Sequence, residues 1–167
     1  MAAFPVGGLL PSSFRHMCTE MIRYMNESED TRASTEALHS LGRRVGGRLI
    51  ERLSLSQHPS VFPYDKPPVH VVMQLVAPYL FFSPDPSVPP YIAIKHTSSV
   101  KYDVQLPLIG CSGGQEEEER YRASVITLIC AILTGALVSL GSNKHVDGKY
   151  WASSETGIGV RLSFDSV

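Results

Sequence analysis

The pattern of apolar positions along the chain is dominated by one stretch, Arg120 to Gly141, RYRASVITLICAILTGALVSLG. Between Val125 and Leu140 only Thr127, Thr134, Gly135 and Ser139 interrupt the apolar run. A helix lying on a protein surface keeps a continuous polar face, and none wide enough exists here. The pattern therefore predicts a central buried helix, enclosed on nearly all sides. A membrane span is the competing reading. It needs roughly 20 apolar residues, and polar, charged segments close in at Glu116 to Arg122 and at Asn143 to Lys149. Arg120 and Arg122 mark a wet first turn, and Gly141, Ser142 and Asn143 make a usual helix stop.

The remaining elements follow from shorter periodicities. After Pro11, Ser12 and Ser13 can cap a helix running to about Asn26, in which Phe14, Met17, Cys18, Met21, Ile22 and Met25 form one apolar stripe. Glu27 to Ser34 reads as a polar linker. A second helix is predicted from about Thr35 to Leu53, with Leu38, Leu41, Val45, Leu49 and Leu53 on one face and Gly42 and Gly46 beside them. Glycine costs roughly 1 kcal/mol in a helix interior, so this pair predicts a neighbouring backbone that comes close, from the buried helix or from a second chain. Another face carries Arg44, Arg48 and Arg52 at four-residue spacing. Pro59, Pro63, Pro67 and Pro68 then break the chain. The apolar run from Val69 suits a short helix up to Ala77, opened by two prolines and ended by Pro78, although a buried strand fits the same residues. Pro84, Pro86, Pro89 and Pro90 stiffen the next loop. Tyr91 to Thr97 and Lys101 to Leu106 alternate as a hairpin, and Cys111 to Glu119 reads as a flexible, acidic loop. Val146 to Ala152 and Ile158 to Phe164 make two last strands, with a tight turn at Asp147 and Gly148 as the alternative for the first. This order argues an α+β fold, with the helices packed on one face of an antiparallel sheet.

Composition narrows the picture. A chain of 167 residues suits a single domain, placed at Ser13 to Val167 behind a loose tail from Met1 to Ser12. That tail lacks a basic segment and is broken by Pro5, Gly7, Gly8 and Pro11, so it does not read as a signal peptide. Fifteen basic and sixteen acidic residues leave a net charge of −1, too balanced for a global field that would recruit nucleic acid or an anionic membrane. Recognition must then be local. The methionine stripe of the first helix covers the core or meets a partner, since an unbranched thioether adapts to an irregular surface. The arginine stripe is a solvated face or a candidate contact with an anionic surface, an acidic partner or lipid headgroups. Nucleic acid is not expected, because no aromatic residues interleave with the arginines. Cys18, Cys111 and Cys130 are odd in number and far apart, which gives no disulfide framework or zinc spacing and favours a reducing, intracellular compartment.

Candidate catalytic chemistry is sparse. Gly110 to Gly114 spell GCSGG, close to the GDSGG around the nucleophile of chymotrypsin-like proteases. Cys111 replaces the acidic residue, the chain is too short for a two-barrel protease, and no histidine sits in that family's context, so a glycine-rich loop is the reading adopted. His16 and Cys18 point to different faces of a helix and make a poor metal pair. His39, His58, His70, His96 and His145 are scattered singly. No phosphate-cradling motif is present, and neither a cofactor nor a metal is required.

Three segments, SFRHMCTEMIRYM, ALHSLGRRVGGRLIERL and ITLICAILTGALVSLG, resemble in order and spacing the marker segments of the small subunits of TRAPP, the transport protein particle that tethers vesicles. The nearest branch is subunit six, which shares the HxEM-like stretch of the first helix and the LG ending of the last. The resemblance implies helices packed on a twisted antiparallel sheet. It also implies a non-catalytic subunit that pairs with subunit three in a cytoplasmic complex, peripheral at endoplasmic reticulum and Golgi membranes, whose assembly activates a Rab GTPase by nucleotide exchange. Pairing in the family uses the first two helices. That maps onto Phe14, Met17, Met21, Leu38, Leu41, Val45 and Leu49, and the glycine argument adds Gly42 and Gly46 to the same surface. In isolation the chain is then expected to self-pair or to behave poorly until a relative covers it. Arg43 stands where the family usually places an aromatic residue. The segment Ser54 to Ser60 lacks the cysteine that carries an acyl chain in the subunit-three branch, so a lipid-filled channel is not expected. The competing function is that of a small-molecule binder, since the related vinyl-reductase domains look similar in fold; it would hold a hydrophobic ligand in a closed apolar cavity beside Cys130.

Overall fold

In a computed structural model of the protein, the described residues are 11–27, 30–56, 65–76, 80, 91–95, 100–107, 115–153 and 157–166. Helix α1 spans Pro11–Asn26 and α2 spans Thr31–Ser56. Pro11 sits inside the first turn of α1, where a residue without an N–H leaves no bond unmade, so the helix opens before the two serines expected to cap it. The polar linker is shorter than its composition implied. The Asp30 carboxylate accepts the Ala33 amide at 3.0 Å, and the Asp30 carbonyl accepts the Ser34 amide at 3.0 Å, which starts α2 early. The Ser34 hydroxyl reaches back to the Met25 carbonyl at 2.9 Å and occupies an acceptor that the end of α1 leaves open. Helix α3, Pro68–Leu75, has Pro68 in its first turn as expected and buries Val69, Val71, Val72 and Met73.

Strands β1, Tyr91–Lys95, and β2, Val100–Pro107, form the expected antiparallel hairpin. Strands β3, Lys144–Ser153, and β4, Gly157–Ser166, complete a four-stranded antiparallel sheet in the order β1-β2-β4-β3. Val160, Leu162 and Phe164 are buried and Arg161 is exposed, so β4 keeps the dry and wet faces its alternation implied. Gly148 pairs with Leu162 within a continuous strand, which excludes a turn at Asp147 and Gly148. Tyr102 meets Phe164 edge to face at 5.5 Å on the buried side, joining β2 to β4.

The long helix α4, Gln115–Ser139, is the centre of the fold. Its first turns take in Glu116 to Glu119, expected to lie in a loop; carboxylates there favour the positive end of the helix and extend it. It ends as predicted. The Ser142 amide bonds the Leu137 carbonyl at 2.9 Å and the Gly141 amide bonds the Val138 carbonyl at 3.0 Å, with Gly141 at φ 82°. The segment Arg122–Ser139 is long and apolar enough to cross a membrane by length and composition. In the fold, every residue from Leu128 to Leu137 is buried by protein. Thr134 lies among them because its hydroxyl donates to the Cys130 carbonyl at 2.7 Å.

The glycines of α2 serve α4 of the same chain. A Cβ at Gly42 would stand 2.6 Å from the Cβ of Ala131 and 3.0 Å from the Leu128 carbonyl oxygen. One at Gly46 would fall on the Ile132 carbonyl, and one at Gly135 of α4 would fall on the backbone of Arg43. The two helices therefore cross backbone against backbone, with glycine supplied from both sides. Gly46→Ala and Gly135→Ala are expected to cost about 1–3 kcal/mol or more by overpacking. At Gly47 an added Cβ would first meet the Gly135 carbonyl oxygen at 3.9 Å, an ordinary contact, so Gly47→Ala should instead stabilise by up to about 1 kcal/mol through helix propensity. Urea unfolding followed by far-ultraviolet dichroism checks the pair; equal effects at positions 46 and 47 would remove the close crossing.

Candidate docking surface

The residues expected at a partner surface divide into two groups. Leu38 and Leu49 are 1% and 3% exposed, and Gly42 and Gly46 are buried against α4, so these four are occupied within the chain. Methionine and aliphatic positions on their flanks differ. Met17 is 40% exposed on α1, while Met21, Leu41 and Val45 are half-buried, Met21 and Val45 touching the core from outside. Phe14 belongs to α1, and its side chain lies outside the described residues. The expected surface thus narrows to Met17, Met21, Leu41 and Val45.

The arginine stripe is placed beside that surface and not away from it. Arg44, Arg48 and Arg52 are exposed along α2. With 3.6 residues per turn, they fall within roughly a quarter turn that also contains Leu41 and has Val45 at its edge. Periodicity read from the chain as two faces is one mixed face in the helix. Leu55 belongs to the same arc and is 86% exposed; it lay beyond the predicted end of α2 at Leu53, and its eleven-residue spacing from Arg44 was the signal available. Arg48 pairs with Glu51 at 3.2 Å, an exposed contact of the kind worth only a few tenths of a kcal/mol.

Other chemistry among the described residues is limited. Where α1, α2 and α4 meet, Ser124 donates to Asn26 Oδ1 at 2.8 Å beside a cavity of about 60 Å³ lined by Asn26, Ser34, Thr35, Arg120 and Thr127. That space is on the scale of ordered water, not of an organic ligand. Among the described residues no group of three or more His, Cys, Asp or Glu is gathered to hold a metal. The GCSGG loop lies outside them. His145 and Asp147 approach at 3.2 Å on the exposed side of β3, and Arg122 lies 4.9 Å over the ring of Tyr150. Burial pushes the thiols of Cys18 and Cys130 up to about 12, and for Cys130 the Asp147 carboxylate adds to it. Cys130 is packed tightly, since a Cβ on Gly148 would stand 3.0 Å from its Sγ and 2.9 Å from Ile126 Cγ2.

Comparison with family models and with curated proteins gives no match. Comparison with solved structures finds a trafficking protein particle complex subunit 3 from Naegleria fowleri, covalently bound to palmitic acid. It superposes with a TM-score of 0.56 at 14% identity, covering 93% of each chain. The chain has the α+β fold of a TRAPP small subunit over nearly its whole length.

A thiol whose folded pKa is about 12, against an ordinary 9.0, is stabilised in its protonated form by folding. That contribution is complete below about pH 9 and is lost as pH rises towards 12, because the unfolded chain gives up its protons first. Unfolding free energy should therefore fall above pH 9 more steeply in the wild type than in a Cys18→Ala, Cys130→Ala variant. In the native protein at neutral pH, Cys130 should resist iodoacetamide and become alkylated only in denaturant, as read by peptide mass mapping.

Proposed function

We propose that this chain is a non-catalytic scaffold subunit of a vesicle-tethering complex of the TRAPP kind, acting in transport between the endoplasmic reticulum and the Golgi. It pairs with subunit three through the outer sides of α1 and α2. It is cytoplasmic, peripheral on membranes through the complex, and supports Rab nucleotide exchange that the assembly performs as a whole. The observation that carries this reading is the agreement of whole-chain fold similarity with the place of the marker segments. LGRRVGGRL holds Gly42 and Gly46, LTGAL holds Gly135, and these three make the backbone-to-backbone crossing of α2 and α4. The assignment to the subunit-six branch rests on the marker segments of α1 and α4 alone. Exposed Met17 and Leu55, with half-buried Leu41 and Val45 between them in sequence, supply the adaptable apolar surface that a scaffold subunit needs.

A second reading, a bound hydrophobic ligand, draws on the palmitic acid of the structural neighbour. A thiol would have to ionise to take up an acyl chain. Burial holds Cys18 and Cys130 protonated, Cys130 is enclosed by Ile126 and Gly148, and Ser54 to Ser60 offers no thiol, so the scaffold reading is preferred.

Two measurements check these readings. Met17→Asp should abolish co-purification with subunit three while leaving helical content unchanged, and pairing that survives would remove α1 from the interface. Val45→Asp should also block pairing but, because Val45 touches the core, with some loss of stability. Native mass spectrometry of the purified chain should show the bare mass; a retained fatty acid would favour the ligand reading.

A further inference from the structure

We infer that the mixed face of α2 takes an acidic helix from a different polypeptide and rejects a second copy of this chain. The inference rests on the docking reading above and names the chemistry of its partner. Arg44, Arg48 and Arg52 are all exposed on the arc that holds Leu41 and Leu55, with Val45 at its edge. On α2 the carboxylate bordering this arc is Glu51, engaged by Arg48 at 3.2 Å within the same helix. The arc is therefore cationic with an apolar floor, although the whole chain is balanced at a net charge of −1.

Symmetry then decides between partners. A closed two-fold pairing places the same patch on both subunits. If the two copies of α2 run antiparallel about Arg48, Arg44 of one faces Arg52 of the other and Arg48 faces itself. If they run parallel, each arginine faces its own copy. Either arrangement of α2 on α2 opposes like charges across a surface that must lose water, which suppresses pairing of this face with itself. A helix presenting Asp or Glu between apolar residues meets the same arc with complementary charge. Lipid headgroups share the anionic chemistry, but the half-buried Leu41 and Val45 beside the arginines offer apolar contact that a helix with interleaved apolar residues matches and a headgroup layer does not.

The test uses the full chain and a charge-reversed variant, Arg44→Glu, Arg48→Glu and Arg52→Glu, whose exposed substitutions leave the α2–α4 crossing untouched; circular dichroism confirms its fold. Light scattering is read at about 50 mM and 500 mM salt, where screening lengths differ severalfold. Wild type alone should not pair through α2, whereas an equal mixture of wild type and variant should form a one-to-one dimer at low salt that dissociates at high salt. Affinity of the variant for subunit three should drop about tenfold or more. A mixture that stays apart at low salt, or a wild-type dimer that Leu41→Asp dissociates, overturns the inference. So does growth beyond a dimer, which would mean that the arc meets the acidic start of α4 in the next copy. Subunit-three binding that is kept by the charge-reversed variant and lost in Leu41→Asp overturns the charge inference while the docking reading stands; binding kept in both removes the docking reading itself. Binding of wild type to phosphatidylserine vesicles, lost in the variant with subunit-three affinity unchanged, assigns the arginines to lipid.

Discussion

The fold depends on the crossing of α2 and α4, where two helix backbones come closer than any side chain permits. Gly42 and Gly46 approach from one side and Gly135 from the other, and the positions an added methyl would take are already filled by Ala131, Ile132 and Arg43. Such an approach trades helix propensity for dispersion contact between close-packed backbones. It also fixes the rotation of α2 about its own axis. With Leu38, Leu49 and Leu53 locked inward, Arg44, Arg48 and Leu55 have no direction left but outward. The core and the exposed face are thus two sides of one constraint.

Much of this was legible in the chain. The unbroken apolar run of α4, its Gly141 stop, the two-residue alternation of the strands and the prolines that open α3 each reflect a local rule that the tertiary structure leaves alone. The close approach implied by Gly42 and Gly46 was legible too, but not its recipient, because a glycine stripe records the nearness of a backbone and not whose it is. Boundaries were less readable. Asp30 starts α2 by accepting the Ala33 amide, a bond that composition does not distinguish from an acidic linker, and Glu116 to Glu119 read as loop because four like charges in a row ordinarily repel. The mixed face of α2 was divided between two readings, since counting apolar and basic residues separately hides that both fall on one arc.

This division also explains why the marker segments speak more directly to architecture than to activity. The glycines they contain hold α2 on α4, and any chain that needs this crossing needs them. The residues around them, Met17 on α1 and the arginines of α2, are exposed and can change without disturbing the core, so two chains with one architecture can carry different surfaces.

The knot between α1 and α2 has a mechanical meaning. Ser34 of α2 clasps the Met25 carbonyl and Ser124 of α4 holds Asn26, so the end of α1 is fastened to both of the helices it lies against. A load applied to α1 is therefore passed at this corner to α2 and, through Asn26, straight into the central rod.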